Sequence, residues 1–91
     1  MPQFKAFEAL TVSTNSVGFT VATFAANDSV FVTVEDAAVR FRLDGSAPTS
    51  TVGHLLEVGD ILELETMGEL ATARFIRRDG VDATLQSSFG T

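Results

Sequence analysis

The sequence predicts an all-β fold, an antiparallel β-sandwich of about seven or eight short strands forming a single domain over residues 1–91. Three observations carry that expectation. Apolar residues recur with period two in short segments, Gly, Asp, Asn and Pro punctuate those segments, and helical periodicity is scarce. With 45% hydrophobic and 20% charged residues, the chain has enough apolar material for one core and lies far from disordered composition.

Taken in order, Phe4 to Val12 and Val17 to Phe24 are rich in Phe, Val and Thr, and Thr14-Asn15-Ser16 between them suits a hairpin turn. Val30, Val32 and Val34 share one face of the next strand. Val39, Phe41 and Leu43 do the same in the following one, which leaves Arg40, Arg42 and Asp44 on its other face. The stretch from Asp44 to Asp60 is long for a connection in a small domain and reads as an ordered excursion, pinned by Leu55 and Leu56 and turned by Val58-Gly59-Asp60. Leu62 and Leu64 then alternate with Glu63 and Glu65, a strand with one wet face.

Ala71, Ala73 and Phe75 alternate with Thr72, Arg74 and Ile76, and Asp79-Gly80 leads into Val81, Ala83 and Leu85. Asp-Gly between two alternating runs predicts a tight C-terminal hairpin that needs positive φ at Gly80, so a β-branched residue there would be costly. A helix from Glu69 to Arg78 competes, since Ala, Leu and Arg favour helices and Gly80 would suit its C-cap.

Composition excludes several classes of function. The chain has no cysteine, so neither disulfides nor thiolate metal sites are available, and an intracellular origin is expected. Met1-Pro2-Gln3-Phe4-Lys5 does not resemble a secretory signal, and no apolar run approaches membrane-spanning length. A net charge of −6 opposes a phosphate backbone, so direct nucleic-acid binding is not expected. The charges are segregated in sequence: Glu57, Asp60, Glu63, Glu65 and Glu69 fall in one stretch without a base, whereas Arg40, Arg42, Arg74, Arg77 and Arg78 lie outside it. Such segregation permits head-to-tail contact between unlike surfaces.

No catalytic or cofactor motif stands out. His54 is the one histidine and would have to supply any imidazole base, with Ser50 and Asp44 or Asp60 as partners, but no Gly-x-Ser-x-Gly elbow accompanies it. Glu63 and Glu65 share a wet strand face, which is solvated charge before it is a pair of catalytic carboxylates. Neither Asn27-Asp28 nor Asp79-Gly80-Val81-Asp82 supplies the ligand set of a calcium loop. A sugar site would want Trp or Tyr, and the sequence has neither. The candidate functional residues are therefore contact residues: Arg40, Arg42 and Asp44, whose guanidinium forks can take carboxylates, with Pro48, Thr49 and His54 of the loop that follows.

The stretch from Val32 to Thr49, continued from Val52 to Asp60, resembles a family of small β-rich virion proteins encoded among tailed-bacteriophage structural genes. The shared features are the Arg40-Phe41-Arg42-Leu43-Asp44-Gly45 strand end, the Pro48-Thr49 loop, the Gly53-His54-Leu55-Leu56 turn and the later Ala73-Arg74-Phe75-Ile76-Arg77 strand. The resemblance implies a non-enzymatic structural component of the virion, most directly a head decoration or cement protein on the outer capsid shell, made in the host bacterial cytoplasm. Its implied partner is the major capsid protein; copies of the chain are a second expected partner, since head-to-tail contact between its unlike surfaces closes into a ring where the rotation fits, with a trimer as the first expectation. A head-to-tail or tail-associated subunit and a glycan- or receptor-binding module are the alternatives. No cofactor or metal is expected, so a chelator should leave the melting temperature of the purified protein unchanged; a drop of several degrees with EDTA, restored by calcium, would refute this.

Overall fold

In the computed structural model, which describes residues 4–20, 25 and 27–90, the chain folds as two antiparallel sheets packed face to face around one core. Among the described residues, seven strands are formed: β1 (Phe4–Val12), β2 (Ser29–Glu35), β3 (Val39–Arg42), β4 (His54–Leu56), β5 (Ile61–Leu64), β6 (Arg74–Arg77) and β7 (Ala83–Gly90). A short helix, α1 (Met67–Thr72), precedes β6. The sheets have the orders β1-β7-β2-β5 and β4-β3-β6, so the chain changes sheet after β2, β4, β5 and β6.

Period-two alternation explains the core. Val30, Val32 and Val34 from β2, and Ala83, Leu85 and Phe89 from β7, are all buried on one face of the larger sheet. Val39, Phe41 and Phe75 are buried on the facing side of the smaller sheet. Phe19 closes the gap between them, its ring lying 5.3 Å from that of Phe75 and 5.2 Å from that of Phe89, both in edge-on geometry. One polar side chain is embedded here. Ser87 is fully buried and its hydroxyl finds no hydrogen-bond partner among the described residues, which opposes stability.

Several local expectations are overturned. Asp79-Gly80 does not close a hairpin, because β6 and β7 belong to different sheets, and Gly80 is not among the glycines with positive φ. The amides that a hairpin would have used are engaged elsewhere: Arg77 N donates to Ser13 O at 3.2 Å and Arg78 N to Ala38 O at 3.1 Å. β7 instead lies between β1 and β2, where two longer ladders satisfy both of its edges. A four-residue β6 could satisfy only half of one.

The Thr14-Asn15-Ser16 hairpin is also absent, since β1 pairs with β7 and Val17 makes a single bridge to Phe75. Residues Val21 to Phe24 of that expected strand lie outside the described residues. The alternation assigned from Ala71 to Ile76 begins in a helix, not a strand. Thr66 caps α1 by accepting from Glu69 N at 3.2 Å, and Glu69 Oε1 accepts from the Thr66 hydroxyl at 3.2 Å and from Glu65 N at 3.3 Å, a Thr-x-x-Glu cap in which the glutamate reaches back to the amide before Thr66. The competing helix from Glu69 to Arg78 is equally wrong in extent, ending where Ala73 turns extended and β6 begins. The long excursion from Asp44 to Asp60 contains β4, whose Leu56 is buried while Leu55 stays exposed.

Glycine requirements follow from this geometry. Gly53 holds φ 133°, and a Cβ there would meet the Phe41 carbonyl oxygen at 3.0 Å and Pro48 Cβ at 3.1 Å, whereas a Cβ on Gly80 would meet nothing within 4 Å. Gly53→Ala should therefore cost about 1–3 kcal/mol by chemical denaturation. Gly80→Val should stay within about 0.5 kcal/mol of the parent. A reversal of that order would mean that the corner after β6 is a tight turn after all.

Candidate functional site

The strand β3 positions the two arginines singled out in the sequence. Because Val39 and Phe41 point into the core, Arg40 and Arg42 are directed to the outside of the smaller sheet, where both are half-buried. Each then finds a partner within its own chain. Arg40 Nε donates to the Ser50 carbonyl at 2.9 Å and Nη1 to the Gly53 carbonyl at 3.0 Å, which ties the segment between β3 and β4 across the strand. Arg42 grips Asp44 as a fork, Nε on Oδ1 at 3.1 Å and Nη2 on Oδ2.

The loop is ordered from its own side chains as well. Asp44 Oδ1 also accepts from Ser46 N at 3.2 Å, and Thr49 Oγ1 accepts from Val52 N at 3.0 Å and Thr51 N at 3.3 Å. Pro48 is buried beneath Gly53. His54 opens β4 opposite Phe41, exposed, with its ring 5.2 Å from the phenylalanine ring. Arg42, Leu43, Asp44, Val52, Gly53 and His54 line an open depression at the surface.

The structure thus brings the six candidate residues into one neighbourhood, but their polar groups largely hold the loop. Among the described residues, no hydrogen bond joins His54 to Ser50, Asp44 or Asp60; Ser50 contributes a main-chain carbonyl to Arg40, and Asp60 accepts from Glu57 N at 2.8 Å. Among the same residues, no group of three or more His, Asp or Glu side chains is placed to hold a metal ion. The Arg42 guanidinium, followed by the Ser46 amide, holds the Asp44 carboxyl below the usual aspartate range.

The charge segregation seen along the chain does not survive folding. Glu57 and Asp60 stand at the turn between β4 and β5, Glu63 projects from the outer face of β5, and Glu69 caps α1. Arg77 pairs with Asp82 at 2.6 Å, and Arg78 with Asp79 at 3.2 Å and Glu57 at 3.8 Å. Acidic and basic surfaces are therefore interleaved at this end of the sandwich.

What the sequence reading missed is the outer face of the larger sheet. Pairing registers place Phe7, Ser88, Phe31 and Glu63 in one row across β1, β7, β2 and β5, and Ala9, Gln86, Thr33 and Ile61 in the next. Phe7 is 60% exposed, Ile61 56% and Phe4 49%, and the Phe4 ring reaches Phe31 at 6.5 Å. A signal was present. Once Leu10 and Val12 face inward, Phe7 must face outward, and the valines of β2 force Phe31 outward in the same way.

A scan with protein-family models, a search of curated proteins and a search of solved structures each found no match to this chain.

Two measurements check the loop assignment. Arg42→Met should raise the Asp44 midpoint in an NMR titration towards the ordinary aspartate value. Because that carboxyl has a lowered folded-state pKa, its stabilising effect is complete above the unfolded aspartate range and fades as pH falls through the folded midpoint. Arg40→Ala should lower stability by about 1 kcal/mol and raise amide exchange across residues 46–53; unchanged exchange would show that the tether to Ser50 and Gly53 does not organise the loop.

Proposed function

We propose that this protein is a structural subunit of a tailed-phage virion, a head decoration protein that acts by covering and joining protein surface on the outer capsid shell. The observation that carries this reading is the outer face of the larger sheet, where Phe4, Phe7 and Ile61 are exposed beside a half-buried Phe31 on one side of a domain of 91 residues. Exposed large apolar side chains grouped on one sheet face mark a place of association on a small protein. A domain so small also gains substantially from burial against a neighbour, because its own core covers a limited share of its surface.

Further features agree with a shell position. The net charge of −6 favours contact with basic protein patches and disfavours contact with packaged DNA. The loop held by Arg40 presents Val52, 52% exposed, on a backbone already fixed before any partner arrives, which lowers the ordering cost of docking. The resemblance of the stretch from Val32 to Asp60 to small virion proteins supplies the identity of the shell. A subunit bound only to the intact lattice stabilises it by mass action, since its contacts must be lost before the lattice opens.

Localisation on purified particles tests the proposal. Density for this protein is expected on the outer shell, and particles lacking it should release DNA at lower temperature until the protein is added back. Density confined to the neck or tail would move the assignment to a head-to-tail subunit, and binding to a glycan array with none to particles would replace it with a receptor-binding role.

A further inference from the structure

We propose that Asp79 is a site of self-modification, where the chain isomerises to isoaspartate through a cyclic imide formed with Gly80, and that the fold protects the other Asp-Gly pair, Asp44-Gly45, from the same reaction.

The chemistry is local and needs no co-reactant besides water. The Gly80 amide nitrogen bonds to Asp79 Cγ, the Cγ–OH bond breaks, and that hydroxyl leaves as water together with the amide proton. Water then opens the five-membered imide at one of its two carbonyl carbons. Opening at Cγ restores aspartate. Opening at the Asp79 main-chain carbon leaves the chain running through the side-chain carboxyl, one methylene longer, with no net change in composition. Glycine favours ring closure because it has no Cβ to crowd the attacking nitrogen and reaches backbone angles that other residues avoid.

By that criterion the two pairs are equal, and so is their access to solvent, since both aspartate side chains are 55% exposed. Neither glycine amide meets a hydrogen-bond acceptor among the described residues. What differs is the hold on the carboxyl. At Asp44, Oδ1 accepts from Arg42 Nε at 3.1 Å and from Ser46 N at 3.2 Å, and Oδ2 accepts from Arg42 Nη2, so both oxygens are engaged. The same donors keep this carboxyl ionised below the ordinary aspartate range, whereas the imide forms from the protonated acid, whose hydroxyl is the leaving group. At Asp79 the donors come from the adjacent Arg78, Nε at 3.4 Å and Nη2 at 3.2 Å, longer than charge-assisted bonds usually are. No backbone amide joins them among the described residues, and Arg78 also faces Glu57 at 3.8 Å.

Space favours the same residue. A Cβ on Gly80 would meet nothing within 4 Å and Val81 beside it is exposed, so the Gly80 peptide can turn towards Cγ without displacing a neighbour. The change is confined to the corner. Arg77 N and Arg78 N are anchored on Ser13 O and Ala38 O on one side, and Arg77 Nη1 holds Asp82 at 2.6 Å on the other. Isomerisation therefore moves the charge that Arg78 grips and leaves both sheets in place.

Peptide mapping of the full chain, incubated at about pH 5.5 both folded and in denaturant, tests this. An isoaspartyl methyltransferase marks the product, and a mass lower by one water marks the imide. In the folded protein Asp79 should yield about ten times more isoaspartate than Asp44, the factor that releasing one charge-assisted hydrogen bond sets. In denaturant the two should react alike. Gly80→Val should suppress the Asp79 product with an unchanged melting curve, and Gly80→Ala should lower it less. Arg42→Met should raise the yield at Asp44 in the folded protein, and Arg78→Gln should raise it at Asp79. No product at Asp79, equal yields in the folded protein, or an Asp44 yield unmoved by Arg42→Met would each overturn the assignment, as would a preference for Asp79 that persists in denaturant and so belongs to the neighbouring residues instead of the fold.

Discussion

The placement of Phe19 between Phe75 and Phe89 is the contact on which the rest of this sandwich depends. Phe75 is fully buried in the smaller sheet and Phe89 fully buried in the larger, so one ring contributed by a segment outside both sheets joins their inner faces. Its position is fixed two residues earlier, where Val17 and Phe75 exchange backbone hydrogen bonds at 2.9 and 2.7 Å. Those bonds also cover part of the edge of β6, which would otherwise expose amide and carbonyl groups. Aromatic pairs of this geometry add about 0.5–1.5 kcal/mol each beyond the area they bury, a large increment for a small domain.

Once the two sheets are joined there, the connections that switch between them must turn sharply at the corners. Asp36, between β2 and β3, adopts φ 76°, with Ala37 N donating to Glu35 O at 2.9 Å, so a single non-glycine residue makes the corner. Its carboxylate accepts from Thr84 Oγ1 at 2.9 Å, and Gln86 Nε2 donates to Glu35 at 2.8 Å. Side chains of β7 thereby hold the corner that leaves β2. The turn between β4 and β5 is closed in a comparable way, with Gly59 N donating to Val34 O at 3.0 Å and Asp60 N to Glu57 O at 2.9 Å.

The same logic separates the two outward faces. On the smaller sheet Arg40 and Arg42 spend their donors on their own loop, on the Ser50 and Gly53 carbonyls and the Asp44 carboxylate. On the larger sheet no loop crosses the rows of Phe7 and Phe31 among the described residues, which leaves apolar surface for a neighbour.

The sequence by itself determined the class of fold, because period-two alternation at Val30 to Val34, Val39 to Phe41 and Leu62 to Leu64 is a local property that any sheet must respect. It also determined that Arg40 and Arg42 face away from the core. It could have announced α1 through Thr66 and Glu69, where a Thr-x-x-Glu cap stands in plain view. Partner choice was another matter. Asp79-Gly80 has the residues of a hairpin turn, yet longer ladders on both sides of β7 outcompete a four-residue β6, and pairing energy grows with ladder length, not with turn chemistry alone. Nor could spacing show that Phe7 and Phe31 belong to one surface. They are brought together only because β7, from the far end of the chain, inserts between β1 and β2, and such long-range pairing is decided by the packing of the whole core.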